Sequence, residues 1–284
     1  MKRVIVLVLL IGIAGVAGIV RSHSQSVGSQ QLPAMSSDGS GGDAREEIRK
    51  TVELSPGARV EVSGINGAVK VETSDSQTAE IYIERIGASR EVMERRKVVV
   101  DSSSTSLRIH GEKGDVGFFA RLFGSNPTEH VTLKLPRKIS LVTRGVNGSV
   151  SVGEVDGPVE VQGINGKVDI GQAVGSAEFK GINGNIAVSL KELARDGVTI
   201  SGVNGNIELR LSEGLNADIE AHGMNGRVVS DLPDVVVEKE RHGTFYAHVG
   251  SGGNSISAKG INGNIRLTRA MSASNTTDGA KTKS

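Results

Sequence analysis

Apolar and polar residues alternate with period two on both sides of a tetrapeptide, Gly-x-Asn-Gly, that this chain repeats seven times. The Asn stands at 66, 147, 165, 183, 204, 225 and 262. The residue just before it is always apolar (Ile65, Val146, Ile164, Ile182, Val203, Met224, Ile261). Three places after it comes Val69, Val150, Val168, Ile186, Ile207, Val228 or Ile265, always β-branched. Five places after it stands Val71, Val152, Ile170, Val188, Leu209 or Leu267, with Ser230 the exception; six places before it, Val60, Leu141, Val159, Ala177, Val198, Ile219 or Ile256. Polar residues such as Gln162, Lys167, Lys180, Asn185, Asn206 and Arg227 fall between. This pattern predicts two half-buried strands joined by a bend at each copy.

Gly and Asn tolerate positive φ, and a small corner residue lets a neighbouring backbone approach closely. The Asn amide can bond its own or an adjacent repeat, which predicts a buried ladder of amides. A plain two-residue hairpin turn competes, since it too places the −6, −4, +3 and +5 positions on one face. It would point the residue before Asn to the opposite face, whereas at a solenoid corner that residue points inward. The pattern therefore favours an all-β, single-chain β-solenoid (β-helix) with about 18–21 residues per coil. At about 3.3 Å per residue, an 18-residue coil has roughly 60 Å of contour, which suits a narrow two- or three-sided cross-section. Each coil would bury its apolar stripe only against its neighbours. The 81-residue gap before Asn147 and the 37-residue gap before Asn262 read as about four and two periods, so that some coils have lost the motif. Thr78–Ile86, Val98–Asp101, Leu107–His110 and His130–Leu135 read as strands of the first coils, and Ser89–Arg96 as a loop or a helical turn.

Outside the repeats, Lys2 and Arg3 precede seventeen residues without a polar side chain, Val4 to Val20, closed by Arg21. That is the layout of a signal peptide or N-terminal membrane anchor over 1–21, and it predicts an exported chain in the periplasm, envelope or cell surface. Residues 22–44 read as a flexible linker, 45–269 as the solenoid domain (irregular over 45–135, regular over 136–269), and 270–284 as a disordered tail.

Composition narrows the chemistry. Aromatic residues make up 2% with no Trp, while Gly reaches 38 residues, which suits thin stacked strands. Thirty-three Lys and Arg nearly cancel 32 Asp and Glu, so no global field favours nucleic acid. Arg95, Arg96 and Lys97 read as a solvated turn. Absence of Cys removes disulfides, thiol chemistry and Cys-based zinc sites. Asp156, Asp169, Asp196, Asp218, Asp231 and Asp234 occupy different repeat positions, His222, His242 and His248 lack ligand spacing, and no Gly-x-Ser-x-Gly stands in the chain. The sequence thus offers no catalytic, cofactor-binding or metal residue and implies no cofactor. A carbohydrate-active enzyme on a β-helix, which would need grouped carboxylates, is the less favoured alternative. Phe118, Phe119, Leu122 and Phe123 form an apolar insertion, read as a cover over the stack or as a contact patch.

The run Leu135-Pro136 to Val142, the literal tripeptides Gly64-Ile65-Asn66, Gly163-Ile164-Asn165, Gly181-Ile182-Asn183 and Gly260-Ile261-Asn262, and Asp231-Leu232-Pro233 resemble the bacterial putative adhesin β-solenoid family, related to head GIN domains. The resemblance covers roughly residues 50–268. It implies a β-helix, an extracytoplasmic location and no enzymatic activity. The functional expectation is a scaffold for cell-surface or envelope interactions, its partner a protein or an envelope polymer, with a membrane-tethered envelope accessory or stress-related protein as the alternative.

Overall fold

A computed structural model describes residues 43–114, 126–233, 235–240 and 243–270. Within them the chain is all-β, with one five-residue helix, α1 (Arg90–Glu94), whose Ser89 cap accepts a bond from the Val92 amide. The strands of the first third are β1 (Ala44–Glu53), β2 (Ala58–Ser63), β3 (Val69–Ser74), β4 (Thr78–Gly87), β5 (Arg96–Ser103), β6 (Ser106–Lys113) and β7 (Thr128–Pro136). The middle holds β8 (Ile139–Arg144), β9 (Val150–Val155), β10 (Val159–Gln162), β11 (Val168–Asn183), β12 (Ile186–Asn204) and β13 (Ile207–Leu211). The last part holds β14 (Ala217–His222), β15 (Val228–Ser230), β16 (Val237–Lys239), β17 (Phe245–Val249), β18 (Asn254–Asn262) and β19 (Ile265–Arg269). All nineteen belong to one sheet, curled round one hydrophobic core.

Every motif marks the junction of two strand segments, with β11, β12 and β18 running up to the motif Asn itself, and each segment pairs in parallel with its equivalent in a neighbouring repeat. Val159 stands opposite Leu141 on one side and Ala177 on the other, and Val168 opposite Val150 and Ile186. Residues of one position therefore stack into rows, and the β-branched +3 row is buried from end to end. The residue preceding each Asn is buried as well, which a two-residue hairpin would not allow. Where the spacing grows from 18 to 21 residues, the extra chain falls between Leu190 and Val198, at the corner opposite the motif.

The order of the repeats in space is not their order in the chain. Strand β2 pairs with β6 on one side and β8 on the other, and β3 likewise with β7 and β9. Strand β12 pairs with β18, not β14, and β18 then pairs with β14; β19 lies between β13 and β15 in the same way. Naming repeats by their Asn, the stack runs from a motif-free repeat (β6 and β7) through 66, 147, 165, 183, 204 and 262 to 225. At each end, one repeat of the chain is slotted one place in from the end of the stack. The gaps of 81 and 37 residues are thus not filled by a series of degenerate repeats laid in sequence. The first carries one motif-free repeat together with β4, α1 and β5; the second carries β16 and β17. These additions run antiparallel: β5 against β6, β4 against β7 with β1 against β4, and β17 against β14 with β16 against β17. They cover edges that a bare stack would leave open to pairing.

Three polar side chains are buried among the described residues, Arg85, Glu129 and Thr143, and Thr143 stands in a row of apolar ones. Thr143 is 0% exposed in the row that holds Val62 and Val161, and its hydroxyl has no hydrogen-bond partner among the described residues. Replacing it with the isosteric Val removes an uncompensated buried hydroxyl, so Thr143→Val is expected to stabilise the fold by about 1 kcal/mol. Urea unfolding checks this; a lowered midpoint would show that the hydroxyl has a partner.

Candidate functional site

The corners carry the regularity outward. With the preceding apolar residue turned in, alternation turns the motif Asn out: Asn147 to Asn262 are exposed and Asn66 is half-buried. The amides form one directional chain. Asn225 Nδ2 donates to Asn262 Oδ1 (3.1 Å), Asn262 to Asn204 (2.9 Å), Asn204 to Asn183 (3.2 Å), Asn183 to Asn165 (3.1 Å), Asn165 to Asn147 and Asn147 to Asn66 (both 3.0 Å). Asn66 closes it on the Pro127 carbonyl at 2.8 Å. The structure therefore brings all seven together, on the surface rather than in the interior. Beside that end lies an ion pair. Glu129, 0% exposed, accepts from the Asn66 backbone N–H (3.0 Å) and from Arg96 Nε (3.1 Å), and the half-buried Arg96 also donates to the Gly64 carbonyl. Arg96 is thus held in the fold, contrary to the solvated turn expected of that trio, because the motif-free repeat has no Asn to continue the row.

A second row stands two places after the motif Asn: in stack order Lys167, Asn185, Asn206, Asn264 and Arg227. The backbone N–H of Asn206 donates to Asn185 Oδ1 (2.9 Å), that of Asn264 to Asn206 Oδ1 (3.0 Å) and that of Arg227 to Asn264 Oδ1 (3.2 Å). An N–H can only be met by the oxygen of an amide, so these bonds fix which way each side chain faces. Nδ2 of Asn185 and of Asn206 then points away from the backbone and has no acceptor among the described residues, while Asn264 Nδ2 leans on Asn206 Oδ1 at 3.3 Å. The guanidinium of Arg227 forms no bond or ion pair among the described residues.

Beside this row lies an open groove of about 770 Å³ across the repeats of Asn183, Asn204, Asn262 and Asn225. On its floor β12 contributes the small Ala187, almost fully covered, where the paired strands carry Asp169 and Glu208. Ion pairs line it. Lys167 Nζ lies 2.9 Å from Asp169; Arg210 reaches both Glu208 (3.3 Å) and Asp169 (3.5 Å); Arg266 holds Asp231 (2.7 Å). The adjacent carboxylates hold the guanidiniums of Arg210 (chiefly Glu208) and Arg266 (chiefly Asp231) above their ordinary values. Sequence reasoning treated Asn185, Asn206 and Arg227 as spacers between core positions; their shared place after the motif was the signal that they form a row.

Of the other candidates, Asp231 lines this groove, and Asp169 holds two of its lining cations, Lys167 and Arg210. His248 Nδ1 lies 2.7 Å from Asp218, and His222 Nε2 lies 2.7 Å from Glu220. A backbone bond from Gly253, then His248, holds the Asp218 carboxyl below its usual value. Among the described residues no group of three or more His, Cys, Asp or Glu could hold a metal ion. Phe118, Phe119, Leu122 and Phe123, His242, Asp234 and the apolar run 4–20 lie outside the described residues. Among the described residues no helix is long and apolar enough to cross a membrane.

No protein-family model matches the chain, and no curated protein does. Solved structures do. The chain is similar to a "putative cell adhesion protein" from Clostridium sporogenes, at 13% identity and a TM-score of 0.36, over 79% of this chain and 99% of that one. It is similar to a "putative adhesin" from Bacteroides fragilis and to a "putative lipid binding protein" from Parabacteroides distasonis, each at 13% identity and a TM-score of 0.30, over 78% of this chain and 97% of the other.

Proposed function

We propose that this chain is a non-enzymatic, extracytoplasmic β-solenoid scaffold that holds a binding groove toward a cell-surface or envelope partner. The observation that carries the reading is the donor row beside the groove. Repeats stacked in register hold its amides in one orientation, which a rigid recognition surface needs and a loop would not supply. A glycosidase would need two carboxyl groups free to act as acid and as base or nucleophile. Here Asp169, Glu208 and Asp231 are each engaged by Lys or Arg. The signal-like segment 1–21 supports export, and whether it is removed decides between a released adhesin-like protein and a tethered envelope accessory.

The test joins location to binding. Full-length protein expressed in bacteria is expected in the envelope or extracellular fraction, and N-terminal sequencing then reads cleavage or retention. Purified protein is expected to sediment with isolated cell envelopes, and Arg227→Gln with Asn206→Asp to reduce that sedimentation. A cytoplasmic protein, or envelope binding unchanged by both substitutions, would overturn the reading.

A further inference from the structure

The groove's chemistry narrows what can occupy it, an inference that rests on the binding role proposed above. Along the row the outward groups are all donors: Lys167, the Nδ2 atoms of Asn185 and Asn206, and Arg227. Their oxygens are turned away, committed to backbone amides. An occupant must therefore bring acceptors, and bring several along one line, because Lys167, Asn185 and Asn206 stand on successive repeats and Arg227 lies beyond Asn264, whose Nδ2 is already used. Aromatic platforms, on which neutral sugar rings stack, are missing from the lining. Charge sets the second limit. The lining sets Lys167, Arg210, Arg227 and Arg266 against Glu208 and Asp231, a positive excess interleaved with carboxylates. A sulfated chain with two or more charges per sugar and few hydroxyls left would have little to donate to those carboxylates. A chain with one carboxylate per unit can set its carboxylates against Lys167, the Asn185 and Asn206 amides and Arg227, and its free hydroxyls can donate to Glu208 and Asp231.

We infer that the groove binds a linear carboxylated polysaccharide of the polyuronate class, lying along the stack across the rows of Asn185, Asn206, Asn264 and Arg227. The open length of the groove suits a polymer segment entered from the side rather than a small molecule enclosed on all sides.

Titration of full-length protein in mild detergent with polygalacturonate, with dextran and dextran sulfate as comparisons, tests this. Saturable binding of polygalacturonate is expected, weakening with salt, with none to dextran. Asn206→Asp keeps an oxygen for the Asn264 amide but replaces the outward donor with an acceptor, so affinity is expected to fall tenfold or more at an unchanged unfolding midpoint. Arg227→Gln is expected to lower it several-fold. Three results would overturn the inference: no saturable binding by the unaltered protein, equal affinity for dextran sulfate, or variants that bind as well as the parent. If envelope sedimentation is still lost in the same variants while polygalacturonate fails to bind, the ligand class is wrong and the groove's binding role stands.

Discussion

A chain ended at Gly253 is expected to lose not only the repeat it lacks but also the one before it. The missing residues form β18 and β19, which lie between the Asn204 and Asn225 repeats. Without them β15 has no strand partner among the described residues, and β14 keeps only β17. Ile256, Ile261, Ile265 and Leu267 leave the core, a loss on the order of 6–12 kcal/mol of burial at the usual value per side chain. That rivals the entire stability of a typical domain. Residues 217–249 are expected to exchange their amide hydrogens at nearly the unfolded rate, while a chain ended after Ala270 keeps its protection. A stack laid down in chain order makes the opposite forecast. There the last repeat is merely an end, and 217–249 would stay protected against β12.

The two glycines of one motif are expected to fail differently when replaced by Ala. Gly181 has φ +61°, with nothing closer to an added Cβ than backbone atoms at 3.9 Å. Gly181→Ala therefore costs the left-handed penalty of about 1–2 kcal/mol. At Gly184 the added Cβ would lie 2.2 Å from the Gly166 carbonyl oxygen, inside the neighbouring repeat's backbone. It is backbone and cannot swing aside as a side chain would, and the same residue is tied into the ladder through its N–H, which donates to the Asn183 carbonyl at 3.1 Å, so the two repeats must part. Gly184→Ala is expected to cost about 3 kcal/mol or more, at the upper end of overpacking penalties. Urea midpoints compare them directly. Equal losses would mean that close approach of the backbones does not set the motif.

Much of the pattern was legible because alternation is a local property. Ile182, Ile186 and Val188 declare an inward face without knowledge of any neighbour, and the two glycines declare a corner. The same logic, followed one step further, places Asn183 outside; the desolvation assumed for a buried amide row led away from that. What stayed hidden were the long-range choices. Nothing around Asn262 records that its repeat slots between those of Asn204 and Asn225, because every repeat offers the same apolar stripe and the same corner. The groove was hidden for the same reason. Asn264 joins Asn206 to Arg227 only once that order is known. Arg96 and Glu129 lie 33 residues apart, and no local signal joins them.

Repeat order is the claim on which the groove depends, and a cross-link reads it directly. The chain has no Cys, so two introduced thiols report on nothing else. Thr199 on β12 is paired with Ser257 on β18, and Ser257 in turn with Glu220 on β14, all on the strands before the motif and away from the groove. Neighbouring strands place Cα atoms about 4.8 Å apart, within disulfide reach, and strands two apart roughly 9–10 Å, beyond it. Under mild oxidation Thr199→Cys with Ser257→Cys is expected to form an intramolecular disulfide without loss of fold, and Thr199→Cys with Glu220→Cys is expected to stay reduced. A disulfide in the second pair and none in the first would contradict the order, and with it the row that lines the groove.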